Sequence, residues 1–189
     1  MTSHKKGCER EFDFTLILEG IQDIDESVEK ALFEAGCDDS TVSMRFGRVY
    51  MTFSRTAESL KDAIVSAIQN VRRSGVNATV LRVDTCDLVT PADIARRIGR
   101  TRQMIHLYIG GKRGPGGFPA PACNITKGYP LWHWREVAYW LHQNNLIRDD
   151  EYYDAQDVSV INNVLALEHQ RRIEPELTKE ISESLCLFG

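Results

Sequence analysis

The sequence predicts an α+β chain, with a β-α-β-β-α-β unit first, a cluster of short helices next and amphipathic helices last. Three observations predict it. Apolar residues alternate with period two in short runs before residue 85, and stretches of helical period lie between those runs. From residue 88 onward the period is helical, broken by GGKRGPGGFPAP at 110–121. The chain has 189 residues and is 42% hydrophobic, enough for one ordinary domain or two small ones.

EFDFTLIL (11–18) sets Phe12, Phe14, Leu16 and Leu18 against Asp13, Thr15 and Ile17, the pattern of a half-buried strand. DESVEKALFEAG follows, with Val28, Ala31, Leu32 and Ala35 at helical spacing and Gly36 as a C-terminal stop. TVSMRF and RVYMTF flank Gly47 as the two strands of a tight hairpin. Residues 57–73 place Leu60, Ile64, Ala67, Ile68 and Val71 on one helical face, and Ser74-Gly75 ends the helix. NATVLRVD supplies the last strand. This order, over residues 10–85, resembles a ferredoxin-like fold. GRVYMTF (47–53) is similar to the third-strand motif of RNA-recognition domains, but Arg48 and Val49 replace an aromatic and a small residue. Alternation leaves Thr15, Ser43, Arg45, Tyr50 and Thr52 on the open sheet face, too few rings to stack single-stranded RNA. The expected role is ligand sensing, dimerisation or scaffolding.

The second domain is expected over residues 87–145. Thr90, Pro91 and Asp93 make a helix start: a hydroxyl cap, a proline at the first helical position and a carboxylate near the positive end. Ile94, Ala95 and Ile98 form the apolar face, and Gly99 ends the helix. Thr101 caps a second helix, whose face is Met104, Ile105, Tyr108 and Ile109. A small residue at the crossing and a glycine in the turn are what a helix-turn-helix requires. A third helix carries Trp134, Val137, Ala138 and Leu141.

Four pieces in order carry a family resemblance: TPADIARRIG at 90–99, TRQ at 101–103, FPAP at 118–121 and WHWREVAYWL at 132–141. The segment 88–142 resembles the MerR/AlpA-like winged helix-turn-helix proteins, which include bacterial regulators and phage excisionases. It departs from the shorter members by the KRGPGG insertion at 112–117. The resemblance implies that helix 101–109 reads the major groove of double-stranded DNA and that a wing over 112–132 follows the backbone. Arg102 and Gln103 then suit base edges. Arg96, Arg97 and Arg100 suit phosphates, with Thr90, Thr101 and His106 on the same surface. Gly110 and Gly111 stop the helix, Lys112 and Arg113 meet the sugar–phosphate backbone, and Phe118-Pro119 plugs the wing onto the core. ACNITKGYPLW forms a short hairpin with Lys127 at its tip.

The charge agrees in sign. Residues 88–142 carry eight basic and two acidic side chains, net +6, within a chain whose net charge is −4. Residues 143–189 carry four basic and ten acidic side chains. There Val158, Ile161, Val164, Leu165 and Leu167, then Leu177, Ile181, Leu185 and Phe188, read as amphipathic helices. This acidic segment, taken as 150–189, is expected to dimerise the chain or to hold a basic protein partner. The five scattered cysteines form no C-x-x-C pair, which points to a reducing cytoplasm without disulfides or zinc. No apolar run approaches the roughly 20 residues that span a bilayer, and the N-terminus lacks the apolar core of a signal peptide. Gly111-Lys112 is followed by Arg113, so no nucleotide P-loop forms, and no G-x-S-x-G or paired-histidine motif occurs. The expectation is a cytoplasmic, non-enzymatic DNA-binding regulator, a homodimeric repressor without cofactor. The alternatives are an antitoxin or adaptor that binds a protein through its acidic helices, or an excisionase-like recombination factor.

Overall fold

Phe12, Phe14, Leu16 and Leu18 are all buried along β1 (Arg10–Glu19), as the alternation demands. The computed structural model describes residues 9–185, and the chain is mixed α+β. His4, Cys8, Cys186 and Phe188 lie outside the described residues. Two units can be distinguished, Met1–Asp84 with Val160–Gly189, and Thr85–Ser159.

In the first unit β1 runs antiparallel to β3 (Arg48–Ala57), with Phe14 opposite Phe53 and Thr15 opposite Thr52. It is also antiparallel to β4 (Thr79–Val83), with a register shift between Ile17 and Leu18. β2 (Ser40–Arg45) pairs with β3, so the strand order is β2-β3-β1-β4. The hairpin turn between β2 and β3 is Phe46-Gly47, both with positive φ (52° and 71°). That is the primed-turn geometry that matches strand twist. Between the strands lie α1 (Glu26–Leu32) and α2 (Leu60–Arg73). Asp25 caps α1 and Ser59 caps α2. Ala63, Ile64, Ala67, Ile68 and Val71 are the buried face of α2.

The first helix is shorter than its period predicts. It ends at Leu32 and continues as a π-helical turn, Phe33–Cys37, in which Gly36 takes a φ of 90°. Arg55, on the buried face of β3, gathers this turn: it donates to both Asp39 carboxylate oxygens (2.6 and 2.7 Å), to the Gly36 carbonyl (2.7 Å) and to Ser66 (3.1 Å). Four of the five guanidinium N–H donors are thus satisfied, which offsets the cost of holding the charge at 7% exposure. Cys37, a free thiol, is buried beside it, and burial pushes its pKa up to about 11.

The C-terminal segment does not stand apart as 150–189. α6 (Asp149–Ile173) begins earlier, and from Val160 onward the chain belongs with the first unit. Its Asn162 amide accepts from the Val83 backbone N–H (2.7 Å) and donates to the Val83 carbonyl (3.2 Å). β4 is an edge strand, and this amide, with the Arg82 Nε–H that also donates to the Val83 carbonyl (3.2 Å), occupies backbone groups on its outer side. Arg172 bonds Thr79 and Glu19, and Arg72 bonds Glu168. α7 (Pro175–Ser184) leaves the apolar stripe of Leu177, Ile181 and Leu185 exposed.

The second unit is built on α3 (Pro91–Arg97), α4 (Arg102–Ile109) and α5 (Trp134–Gln143) around Val89, Ile94, Ile105, Trp132, Val137 and Leu141. A two-stranded ladder, β5 (Leu88–Val89) with β6 (Trp132–His133), ties its beginning to the start of α5. No helix among the described residues is long and apolar enough to cross a membrane.

Candidate nucleic-acid interface

Thr90 opens α3 with a complete capping box. Its hydroxyl accepts from the Asp93 N–H (3.2 Å), and the Asp93 carboxylate accepts from the Thr90 N–H (3.0 Å) and hydroxyl (2.6 Å). The Thr90 hydroxyl, then its N–H, holds the Asp93 pKa below the ordinary carboxylate range. Ile94 and Ala95 are buried against the core. Past Ile98 the chain reverses at Gly99, whose φ of 61° is left-handed, and the Arg100 N–H returns to the Ala95 carbonyl (2.8 Å).

Thr101 then caps α4 by accepting from the Met104 N–H (3.2 Å). Ile105 and Tyr108 point into the core, which leaves Arg102, Gln103 and His106 on the exposed side. The exposed side of the first turn has no acidic residue. Among the described residues, Arg100, Arg102, Lys112, Arg113 and Lys127 have no ion-pair partner, and all five are exposed. An unpaired guanidinium or ammonium can exchange water and counterions for phosphate without first breaking an internal contact.

Two residues expected on this surface are otherwise occupied. Arg97 is half-buried: it donates to the Cys86 carbonyl (2.7 Å), and its guanidinium lies 4.7 Å from the centre of the Trp134 ring. Burial pulls its pKa below the ordinary guanidinium value. This arginine braces α3 against the start of α5 and is not free to meet a phosphate. Thr90 is half-buried, and its hydroxyl both donates and accepts within the capping box. Arg96 is exposed and pairs with Asp93 at 2.9 Å, one turn away on the same helix, an arrangement weak enough to exchange.

The glycine-rich segment is pinned at both ends. The Lys112 and Arg113 N–H groups donate to the Leu107 carbonyl (2.9 and 3.2 Å), closing the C-terminus of α4. Further on, the Trp140 indole N–H donates to the Gly116 carbonyl (2.9 Å), and the Trp132 indole N–H donates to the Pro119 carbonyl (3.0 Å). Phe118 sits edge-on to both tryptophans, 5.0 Å from Trp140 and 6.4 Å from Trp132. Phe118 therefore packs against the core of this unit. Gly114 lies where a β-carbon would press on Tyr108 and Trp140 at 3.3 and 3.4 Å.

The expected hairpin over 122–132 is reduced to one bridge, Cys123 with Leu131. Its tip is a 3-10 turn, Ile125–Lys127, entered through Asn124 and left through Gly128, both left-handed. Pro130 removes a ladder donor, and the two-stranded pairing forms instead between β5 and β6. The residue roles missed by reading the sequence are aromatic. The face of Trp134, Val137, Ala138 and Leu141 omits Trp140, which is buried, and local spacing gives no sign of the Arg97–Trp134 stack. The dense tryptophan spacing, at 132, 134 and 140, was the available signal.

Comparison of the chain with protein-family models, with curated proteins and with solved structures finds no match. Among the described residues, no three His, Cys, Asp or Glu side chains are grouped to hold a metal ion. Cys86 and Cys123 are free thiols, and the Cys86 thiol faces the Leu88 carbonyl at 3.1 Å.

Proposed function

We propose that this chain is a sequence-specific DNA-binding protein, a regulator of bacterial or phage type acting in the cytoplasm. The observation that carries the reading is the exposed side of α4 and its surroundings: Arg100, Arg102, Gln103, His106, Lys112 and Arg113, whose four arginine and lysine side chains have no ion-pair partner among the described residues. The second unit is read as a winged helix-turn-helix of the MerR/AlpA-like kind. The capped pair α3 and α4 around a left-handed Gly99 supports this, as does the aromatic plug at Phe118. Arg102 and Gln103 read base edges, arginine on guanine and glutamine on adenine. Arg96, Arg100, Lys112, Arg113 and Lys127 hold the backbone. The first unit is read as ferredoxin-like, supported by its fully antiparallel β4-β1-β3-β2 order, and serves as a sensing or pairing module. No enzymatic step is assigned. A homodimer places two copies of α4 on a palindromic site about 34 Å apart.

Selection of bound sequences from random duplex DNA tests the reading. An enriched motif is expected; no enrichment, with no binding even at low salt, removes it.

One observation favours a second reading. The stripe of Leu177, Ile181 and Leu185 on α7 is exposed and flanked by Glu176, Glu180 and Glu183. An adaptor or antitoxin that docks a basic protein presents such a face. Co-purification of a second, basic chain from the native host distinguishes it from the regulator.

A further inference from the structure

A cleft of about 450 Å³ opens in the second unit, within the size range of small-molecule sites. Tyr139, Trp140 and Tyr152 give it aromatic walls, and Gly117 and Pro119 of the glycine-rich segment close one side. Helical spacing explains the lining. Arg135, Tyr139 and Gln143 recur every fourth residue on α5, and Tyr152 and Gln156 do so on α6. Each stripe therefore presents a ring with an amide beside it, and the α5 stripe adds a cation.

The walls are held in place before any ligand arrives. Tyr152 stacks on His142 with centroids 4.8 Å apart, and His142 Nε2 is 2.8 Å from Asp149. Tyr139 and Tyr152 stand 5.9 Å apart. Trp140 is fixed by its bond to Gly116 and by the rings of Phe118 and Tyr108. Rings already ordered lose little further freedom on binding.

The charges of the cleft have no such employment. Arg135 and Glu136 both line it, both are exposed, and among the described residues neither has an ion-pair partner. A lone anion would leave the glutamate facing it, and a lone cation would leave the arginine. A ligand carrying both charges beside a flat apolar body satisfies the whole lining. We propose that the cleft binds an aromatic α-amino acid or a zwitterion of the same chemistry. Its ring lies against Tyr139 and Tyr152, its carboxylate meets Arg135, and its ammonium meets Glu136. Gln143 and Gln156 serve a ring N–H or hydroxyl. Because Gly117 and Pro119 belong to the segment that also carries Lys112 and Arg113, a ligand in contact with them shifts how that segment is held and changes DNA affinity. This coupling rests on the DNA-binding reading, whereas the binding itself does not.

Calorimetric titration of the full chain, without DNA, tests the site with L-tryptophan and L-tyrosine. Tryptamine and indole-3-propionate, which each lack one charge, are the comparison ligands. At least one amino acid is expected to saturate a single site, with both half-ligands weaker by about tenfold or more. Arg135→Gln, at an exposed position, is expected to weaken the amino acid and indole-3-propionate about tenfold and to leave tryptamine unchanged. Glu136→Gln is expected to weaken the amino acid and tryptamine about tenfold and to leave indole-3-propionate unchanged. Absence of saturable heat from both amino acids up to about 10 mM on folded protein overturns the site. So does a half-ligand that binds as tightly as the amino acid, or an Arg135→Gln protein that binds like the parent. DNA affinity measured with and without saturating ligand then reads the coupling, and an unchanged Kd overturns that part alone.

Discussion

The Arg97 guanidinium donates to the Cys86 carbonyl and lies over Trp134, five residues before an exposed Arg102 that has neither neighbour. The two arginines therefore answer to different measurements. Arg102→Ala should cost roughly 1–3 kcal/mol of specific DNA binding and relax preference at one base pair, read by competition with single-base variants of the selected site. The cap of α3 makes a separate, pH-dependent prediction. Thr90→Ala should lower stability by about 1 kcal/mol in urea denaturation at neutral pH. Asp93 is held ionised by the Thr90 hydroxyl, so its folded pKa is depressed. Stabilisation of that sign is present above the unfolded carboxylate pKa and fades as pH falls through the folded one. The gap between Thr90→Ala and the parent should accordingly narrow below about pH 4.

At the scale of the element, the turn between α3 and α4 depends on backbone conformation and not on space. Gly99 has a φ of 61°, and a β-carbon there would meet nothing within 4 Å. Gly99→Ala should therefore cost about 1–2 kcal/mol of folding stability, the penalty of the left-handed region alone. Thermal denaturation reads it, and a much larger loss would mean that the turn is packed more tightly than its geometry implies. The glycine-rich segment follows a different rule. Its prolines and glycines look like a linker in composition, yet Phe118, Trp132 and Trp140 anchor it through ring contacts and two indole hydrogen bonds. Composition marks where a chain can turn sharply, and only the neighbours decide whether it is held.

Over the whole molecule, pairing of charge matters more than its sum. Arg48, Arg55, Arg72 and Arg172 of the first unit, and Arg96 and Arg148 of the second, each face a carboxylate, while Arg100, Arg102, Lys112, Arg113 and Lys127 have none among the described residues. A net charge of −4 thus coexists with a local cationic surface. With about four to six phosphate contacts per protomer, the slope of log Kobs against log salt should lie near −4 to −5, measured by titrating salt against the selected duplex. A slope near zero would mean that these cations do not meet the backbone.

By itself the sequence determined the elements and their faces, because period and capping are local. The alternation of β1, the buried stripe of α2, the Thr90 and Thr101 caps and the Gly99 turn were all legible in consecutive residues. The exposed set on α4 followed from the same period. Tertiary structure decided what depends on distant partners. Arg97 was drawn inward by Trp134, 37 positions later, and the Asn162 amide reached the open edge of β4 across 79 positions. Pairing between β5 and β6 took the place of the longer hairpin. A side chain's period says which way it leaves its own element, but whether it meets water, a ring or a carbonyl depends on what the fold brings opposite.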